Sequence, residues 1–182
     1  MNSHYLRAQM LIDQGRHQQA EKELRQSLAV DPNDADSHAA LALCLAERER
    51  YAEASQSVET AIGLAPDDAF SYYVQAFVYA QRNRFVESEA AIRQAIELEP
   101  ARADYYALLA QILAARAKWQ PALEVAEEGL RIDPEDVECG NVRARALAKL
   151  RRTGDAQVSL DASLAREPEN STTHANIGWI SL

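Results

Sequence analysis

Residues 69–82 read AFSYYVQAFVYAQR, and five of the chain's twelve aromatic residues fall between Phe70 and Tyr79. Wound as a helix at about 100° per residue, the stretch puts Phe70, Tyr73 and Phe77 on one face and Tyr72, Ala76 and Tyr79 on roughly the opposite one. A helix apolar on two faces is either buried all round or has one face packed and one presented. The choice rests on the rest of the chain, because the same segment recurs along it in altered form.

Five of the six prolines, Pro32, Pro66, Pro100, Pro134 and Pro168, follow one another at intervals of 34 residues. Other columns keep that period. Ala8, Ala42, Ala76, Ala110, Ala144 and Gly178 form a small-residue column, and Ala20, Ala54, Ser88, Ala122 and Ala156 a second. Leu28, Ile62, Ile96, Leu130 and Leu164 form an apolar column. His17, Tyr51, Phe85 and Trp119 form a mostly aromatic one that lapses at Thr153. Small columns let two helix backbones approach closely while large neighbours fill the space beside them.

This pattern resembles the tetratricopeptide repeat, a pair of antiparallel helices with a 34-residue period. The resemblance covers the whole chain: units 1–34, 35–68, 69–102, 103–136 and 137–170, and a first helix over 171–182. Both alanine-rich columns and the closing proline match the family. Its early tryptophan-like position is filled instead by His4, His38, Tyr72, Tyr106, Gly140 and His174. The resemblance implies one all-α domain over 1–182, a right-handed superhelical solenoid of five helix pairs plus one terminal helix.

Local signals agree with eleven helices and no strand. Asp34, Asp68, Asp136 and Asn170 stand where a helix N-cap is wanted, with Arg102 as the exception. Between paired helices Gly15 and Asn83 suit a left-handed turn, whereas Glu49, Ala117 and Arg151 suit it less well. Pro121 falls in a first turn, where its missing N–H costs little. Two departures stand out. Arg7, Gln75 and Arg143 replace the large apolar residue seen at Leu41, Leu109 and Ile177, so the odd units pack more loosely or lay polar chains over apolar surface. The fifth unit, with Gly140, Arg143, Arg151 and Thr153, is the poorest match and the expected weak link.

Composition narrows the function classes. Hydrophobic content of 47% supports a sizeable core in a chain of 182 residues. A net charge of −9 argues against nucleic acid or an anionic membrane as the main partner. Cys44 and Cys139 make no metal or redox spacing, so a reduced, cytoplasmic setting is expected. The start MNSHYLRAQM lacks the order of a secretory signal. The longest mostly apolar run, 105–115, falls well short of the roughly 20 residues that span a bilayer. No catalytic dyad, phosphate loop or nucleophile elbow is present, so no enzyme, metal or cofactor is expected. The histidines occupy packing columns, and Cys44, in a column with Met10, Val78 and Ile112, reads as a core thiol.

Surfaces remain. By resemblance, the first helices line a concave groove that binds a peptide segment of a partner protein. The groove columns carry Tyr5, Ala39, Tyr73, Ala107 and Asn141; Gln9, Leu43, Phe77, Gln111, Arg145 and Trp179; and Asp36, Phe70, Asp104 and Glu138. Leu43, Phe70, Tyr73 and Phe77 are expected to make its apolar floor, the other reading being that these rings pack between neighbouring helices. Arg145, Lys149 and Arg152 recur at helical spacing. Arg145 and Lys149 read either as a basic end of the groove or as a solvated helix end favoured by the dipole. The lysine, arginine and asparagine clamp of chaperone-binding members is absent, as Tyr5, Gln9, Ala40, Phe70 and Val74 occupy its places. The chain is therefore expected to be an interaction scaffold, or else the recruiting arm of a longer enzyme or membrane-attached assembly factor. The last stretch, STTHANIGWISL, leaves Ile177, Trp179, Ile180 and Leu182 without obvious cover, which predicts a homodimer through 171–182 or a continuing chain.

Overall fold

The structure, a computed structural model, describes residues 3–180, with side chains for residues 3–176. It is all-α: α1 (Ser3–Asp13), α2 (His17–Val30), α3 (Ala35–Glu47), α4 (Tyr51–Leu64), α5 (Ala69–Gln81), α6 (Phe85–Leu98), α7 (Ala103–Ala115), α8 (Trp119–Ile132), α9 (Val137–Lys149), α10 (Thr153–Arg166) and α11 (Ser171–Ile180). No strand occurs among the described residues. Five helix pairs and a single last helix reproduce the expected register. The chain divides into two compact units, Met1–Leu98 and Glu99–Leu182.

Every turn inside a pair has the same build. Gly15, Glu49, Asn83, Ala117 and Arg151 all have φ between +56° and +68°. Around Gly15, the N–H of Gly15 donates to Ile12 O and that of Arg16 to Leu11 O, both at 2.8 Å. The same two bonds recur at Glu49–Arg50, Asn83–Arg84, Ala117–Lys118 and Arg151–Arg152. This is the Schellman closure, which satisfies two orphan carbonyls and demands one left-handed residue. Glu49, Ala117 and Arg151 adopt it although their side chains disfavour it, because the two orphan carbonyls outweigh the local strain.

The N-caps are less uniform than their sequence. Asp68 accepts from the N–H groups of Phe70 and Ser71, and Asp136 from that of Cys139. Asn170 accepts from Thr173 N at 3.0 Å. Asp34 sits at the cap position of α3 but takes no helix N–H; its carboxylate accepts from Ser37 Oγ at 2.6 Å. Arg102 caps nothing, and forks instead onto Asp104 at 2.8 and 3.0 Å.

In the unit Met1–Leu98, the small columns lie where backbones meet. Ala8, Ala42, Ala76, Ala20, Ala54 and Ser88 are all 0% exposed. Ser88 Oγ donates to Ala76 O at 2.6 Å, so a hydroxyl at one small column bonds the backbone at the other. A core runs through Leu24, Leu41, Leu45, Val58, Val74 and Val78. Cys44 is buried with its thiol pushed up to about 12, chiefly by burial, as a core thiol should be. Its column neighbour Met10 is 63% exposed.

Glu21 is a carboxylate inside this unit, 7% exposed on α2. Arg25 reaches it at 2.9 Å and Arg50 at 2.8 Å, and Arg48 also pairs with it. Burial alone would raise its pKa, but Arg25 and Arg50 outweigh that and hold it below the ordinary value.

The odd-unit departures resolve differently in each place. Beside Gln75 an open cavity of about 390 Å³ lies between α5 and α6, lined by Tyr72, Tyr79, Glu87, Ala90, Ala91 and Gln94 as well. Arg143 instead lies across to Glu127 on α8, 3.6 Å away.

In the unit Glu99–Leu182, two glycines allow close approach. A Cβ on Gly129 would collide with the Cys139 sulfur and lie 3.1 Å from Tyr106 Cβ. A Cβ on Gly140 would lie 2.5 Å from Ser163 Oγ, and Ser159 Oγ donates to the Gly140 carbonyl at 3.0 Å. Gly140, a departure in sequence, is thus the residue that lets α10 seat its serines on α9.

The histidine and tyrosine column does more than pack. Tyr72 and Tyr106 hydroxyls donate to the carbonyls of Pro66 and Pro100, each at 3.1 Å. His38 and His174 use Nε2 for the same bond, to Pro32 at 2.9 Å and Pro168 at 2.6 Å. His4 instead bonds Glu23 at 2.7 Å.

Candidate partner-binding surface

The residues expected to face a partner fall into two groups, one in each compact unit. In the first unit, Leu43, Phe70, Tyr73 and Phe77 are half-buried, their inner edges packed on the core that includes Tyr5, Leu45 and Val74. Phe70 and Tyr73 stack with ring centroids 6.1 Å apart and planes 21° from parallel. One turn of α5 thus holds two rings side by side, which removes their rotamer freedom in advance. Tyr5, by contrast, is 9% exposed, and its hydroxyl accepts from the exposed Gln9 Nε2 at 2.9 Å.

Carboxylates edge this stripe. Burial, then Asp36 and Asp34, push the Tyr5 phenol up to about 12, and Asp68 adds to the effect. The Asp36 carboxyl is itself held above its ordinary range by burial, then by Asp34 and Asp68. Asp34 and Asp36 stand at the start of α3 and Asp68 at the start of α5, and the charges of all three act on Tyr5 of α1. Asp36 was readable as a groove position. Asp34 and Asp68 were legible only as caps, although their 34-residue recurrence beside the groove column was the signal that could have placed them here.

The second unit carries a polar counterpart. Gln111 Nε2 donates to Glu138 Oε2 at 3.2 Å. Burial, then Asp136, raise the Glu138 carboxyl. Burial lowers Arg145, against which the Glu138 charge acts in the opposite sense. Asn141 is 2% exposed and accepts the Thr173 hydroxyl at 2.9 Å, while its buried Nδ2 makes no hydrogen bond. Lys149 stands apart from Arg145, with its ammonium 5.6 Å from the centroid of the Trp119 ring. Trp179 lies outside the described side chains, as do Ile177, Ile180 and Leu182 on which the expected pairing through 171–182 depends.

Among the described residues, no group of three or more His, Cys, Asp or Glu is placed to hold a metal ion, and no helix is long and apolar enough to cross a membrane.

Known proteins place this architecture. Two tetratricopeptide-repeat family models match residues 11–76 and 73–137, together more than half of the chain. No curated protein sequence matches it. Among solved structures, a thermophilic TPR protein from Thermus thermophilus is similar at 15% identity with a TM-score of 0.86, covering 98% of this chain and 97% of its own. PilF of Pseudomonas aeruginosa is similar at 21% identity and a TM-score of 0.83, covering 98% and 82% respectively. YrrB, described as a TPR protein with an unusual peptide-binding site, is similar at 17% identity and a TM-score of 0.66, covering 94% and 89%. With the 34-residue register, the helix pairs and the two family models in agreement, the chain belongs to the tetratricopeptide-repeat family.

Proposed function

We propose that the protein is an interaction scaffold whose first-helix face in the unit Met1–Leu98 binds an extended or helical segment of a partner protein, without chemistry of its own. The family supports the scaffold reading, and a peptide-binding site on YrrB, of the same fold, is consistent with the binding mode. The observation that carries the choice of face is the half-buried stripe of Leu43, Phe70, Tyr73 and Phe77, with two of its rings already stacked. Such preordered aromatic surface is what anchor residues use, because little entropy remains to be lost on binding.

The test is amide-shift mapping by NMR with a peptide selected from a randomised display library against the full chain. Shifts should centre on Leu43, Phe70, Tyr73 and Phe77, and Tyr73→Ala should weaken binding by about 1–2 kcal/mol while the helix content stays unchanged. Shifts confined to the α5–α6 cavity or to the second helices would overturn this choice of face.

A further inference from the structure

The aromatic stripe is apolar, but its surroundings are not neutral. Three carboxylates stand at the starts of two helices that pack on each other: Asp34 at the cap position and Asp36 in the first turn of α3, and Asp68 at the cap of α5, where it accepts from the N–H of Phe70 itself. Their own partners are all uncharged. Asp34 takes the Ser37 hydroxyl, and Asp68 takes the Ser71 hydroxyl at 2.5 Å together with helix N–H groups. Asp36 makes no ion pair with any described residue, and the charges that act on it are Asp34 and Asp68.

The other side of the same unit is built differently. Glu21 on α2 is matched by Arg25 of the same helix and by Arg48 and Arg50 of the turn between α3 and α4, and Arg50 forks onto Glu53 at 2.5 and 2.7 Å. At the start of α6, Arg84 pairs with Glu87 at 3.0 Å. The buried carboxylate on the second-helix side is therefore matched by cations, whereas the three aspartates of the first-helix face have none beside its rings. An unmatched charge cluster next to exposed apolar area fixes the sign of what docks there.

We propose that the segment this face takes is basic and apolar: a lysine or arginine seated among Asp34, Asp36 and Asp68, and an apolar side chain against Phe70, Tyr73 and Phe77. This rests on the proposed binding face and adds the chemistry of its occupant. The rings serve both halves of such a segment, because an arginine stem lies flat on a tyrosine face while its guanidinium reaches a carboxylate. An acidic segment would meet three like charges and be repelled.

The test uses the full chain and a display library of random dodecapeptides. Selected sequences should be enriched in Lys or Arg within a few residues of Leu, Ile, Phe or Trp. The best synthetic peptide should bind Asp36→Lys roughly tenfold more weakly than wild type, and raising salt should weaken the wild type more than Asp36→Asn. Asp36 is exposed and caps no helix, so Asp36→Asn should melt close to the wild type, and Asp36→Lys, which sets a cation in the first turn of α3, should lower the melting temperature by no more than a few degrees. Enrichment in acidic or uncharged sequences overturns the proposal. So does binding that depends on Tyr73 but ignores Asp36 and salt, an outcome that leaves the face correct and its occupant wrong. Binding indifferent to Tyr73 and Asp36 alike, or no selected sequence at all, overturns the face together with the occupant.

Discussion

At the scale of single residues, a repeated position carries its meaning in its polar atom. The histidines and tyrosines of the early first-helix column were expected to pack. In the structure Tyr72, Tyr106, His38 and His174 each close the loop before their helix by bonding a proline carbonyl. Tyr106→Phe keeps the ring and removes only that bond, so it should cost about 0.5–1 kcal/mol in urea unfolding, because the bond is exposed. An unchanged midpoint would show the hydroxyl to be equally well served by water. The turn residues make the opposite case. Ala117 holds φ at +56°, where a Cβ is a burden, and its two neighbouring backbone bonds keep it there. Ala117→Gly should therefore stabilise the chain by about 0.5–1 kcal/mol, seen as a raised melting temperature. Gly15 and Asn83 advertised this conformation in sequence; Ala117, Glu49 and Arg151 did not, because the requirement comes from the Schellman bonds and not from the side chain.

At the scale of elements, the decisive charge lies where a helix surface was expected. Glu21 reads in sequence as one more exposed acid on an amphipathic helix, yet the end of α3 and the start of α4 bring Arg48 and Arg50 onto it. The three arginines are a third to a half exposed, so solvent screens part of the attraction. Glu21→Gln should destabilise the fold by about 1–3 kcal/mol at neutral pH, through the clustered cations left without their counter-charge. The sign of its pH dependence follows from a depressed folded pKa. Its stabilisation is present above the ordinary glutamate value of about 4.3 and is lost as pH falls through the folded value. Wild-type and Glu21→Gln stabilities should therefore converge on acidification, as urea midpoints over a pH series would show. Asp36 and Glu138 have raised values and work in the opposite sense, so acid relieves rather than weakens their sites.

At the scale of the whole molecule, a repeat chain is stabilised by neighbours, and a break between compact units costs less than a break within one. The unit Met1–Leu98 contains three helix pairs and the whole cluster from Tyr5 to Val78. A chain ending at Leu98 should accordingly fold to a helical protein with a single cooperative melt, since three repeats suffice to close a core. Circular dichroism of that fragment decides it; a largely unfolded fragment would mean that its stability depends on residues after 98. The two units also differ in what they present. The first offers rings with a negative edge, while the second offers Gln111 bonded to Glu138 and, beside them in sequence register, Arg145, whose buried Nε makes no hydrogen bond.

What the amino-acid sequence determined by itself is the architecture. A 34-residue period in small residues and prolines dictates helix pairs, because only small side chains let two backbones close, and the structure buries both alanine-rich columns completely wherever it describes their side chains. The same register picked out Leu43, Phe70, Tyr73 and Phe77 as one stripe. Tertiary structure alone decided the rest. Tyr5 and Asn141, both on the expected face, are 9% and 2% exposed, because burial depends on what packs from the neighbouring helix. Lys149 turns to Trp119, and Gly140 proves to be a site of close approach and not a defect. The gathering of Asp34, Asp36 and Asp68 is likewise a tertiary fact: Asp68 is 32 residues beyond Asp36 in the chain, and only stacking of α3 on α5 brings its field to the others.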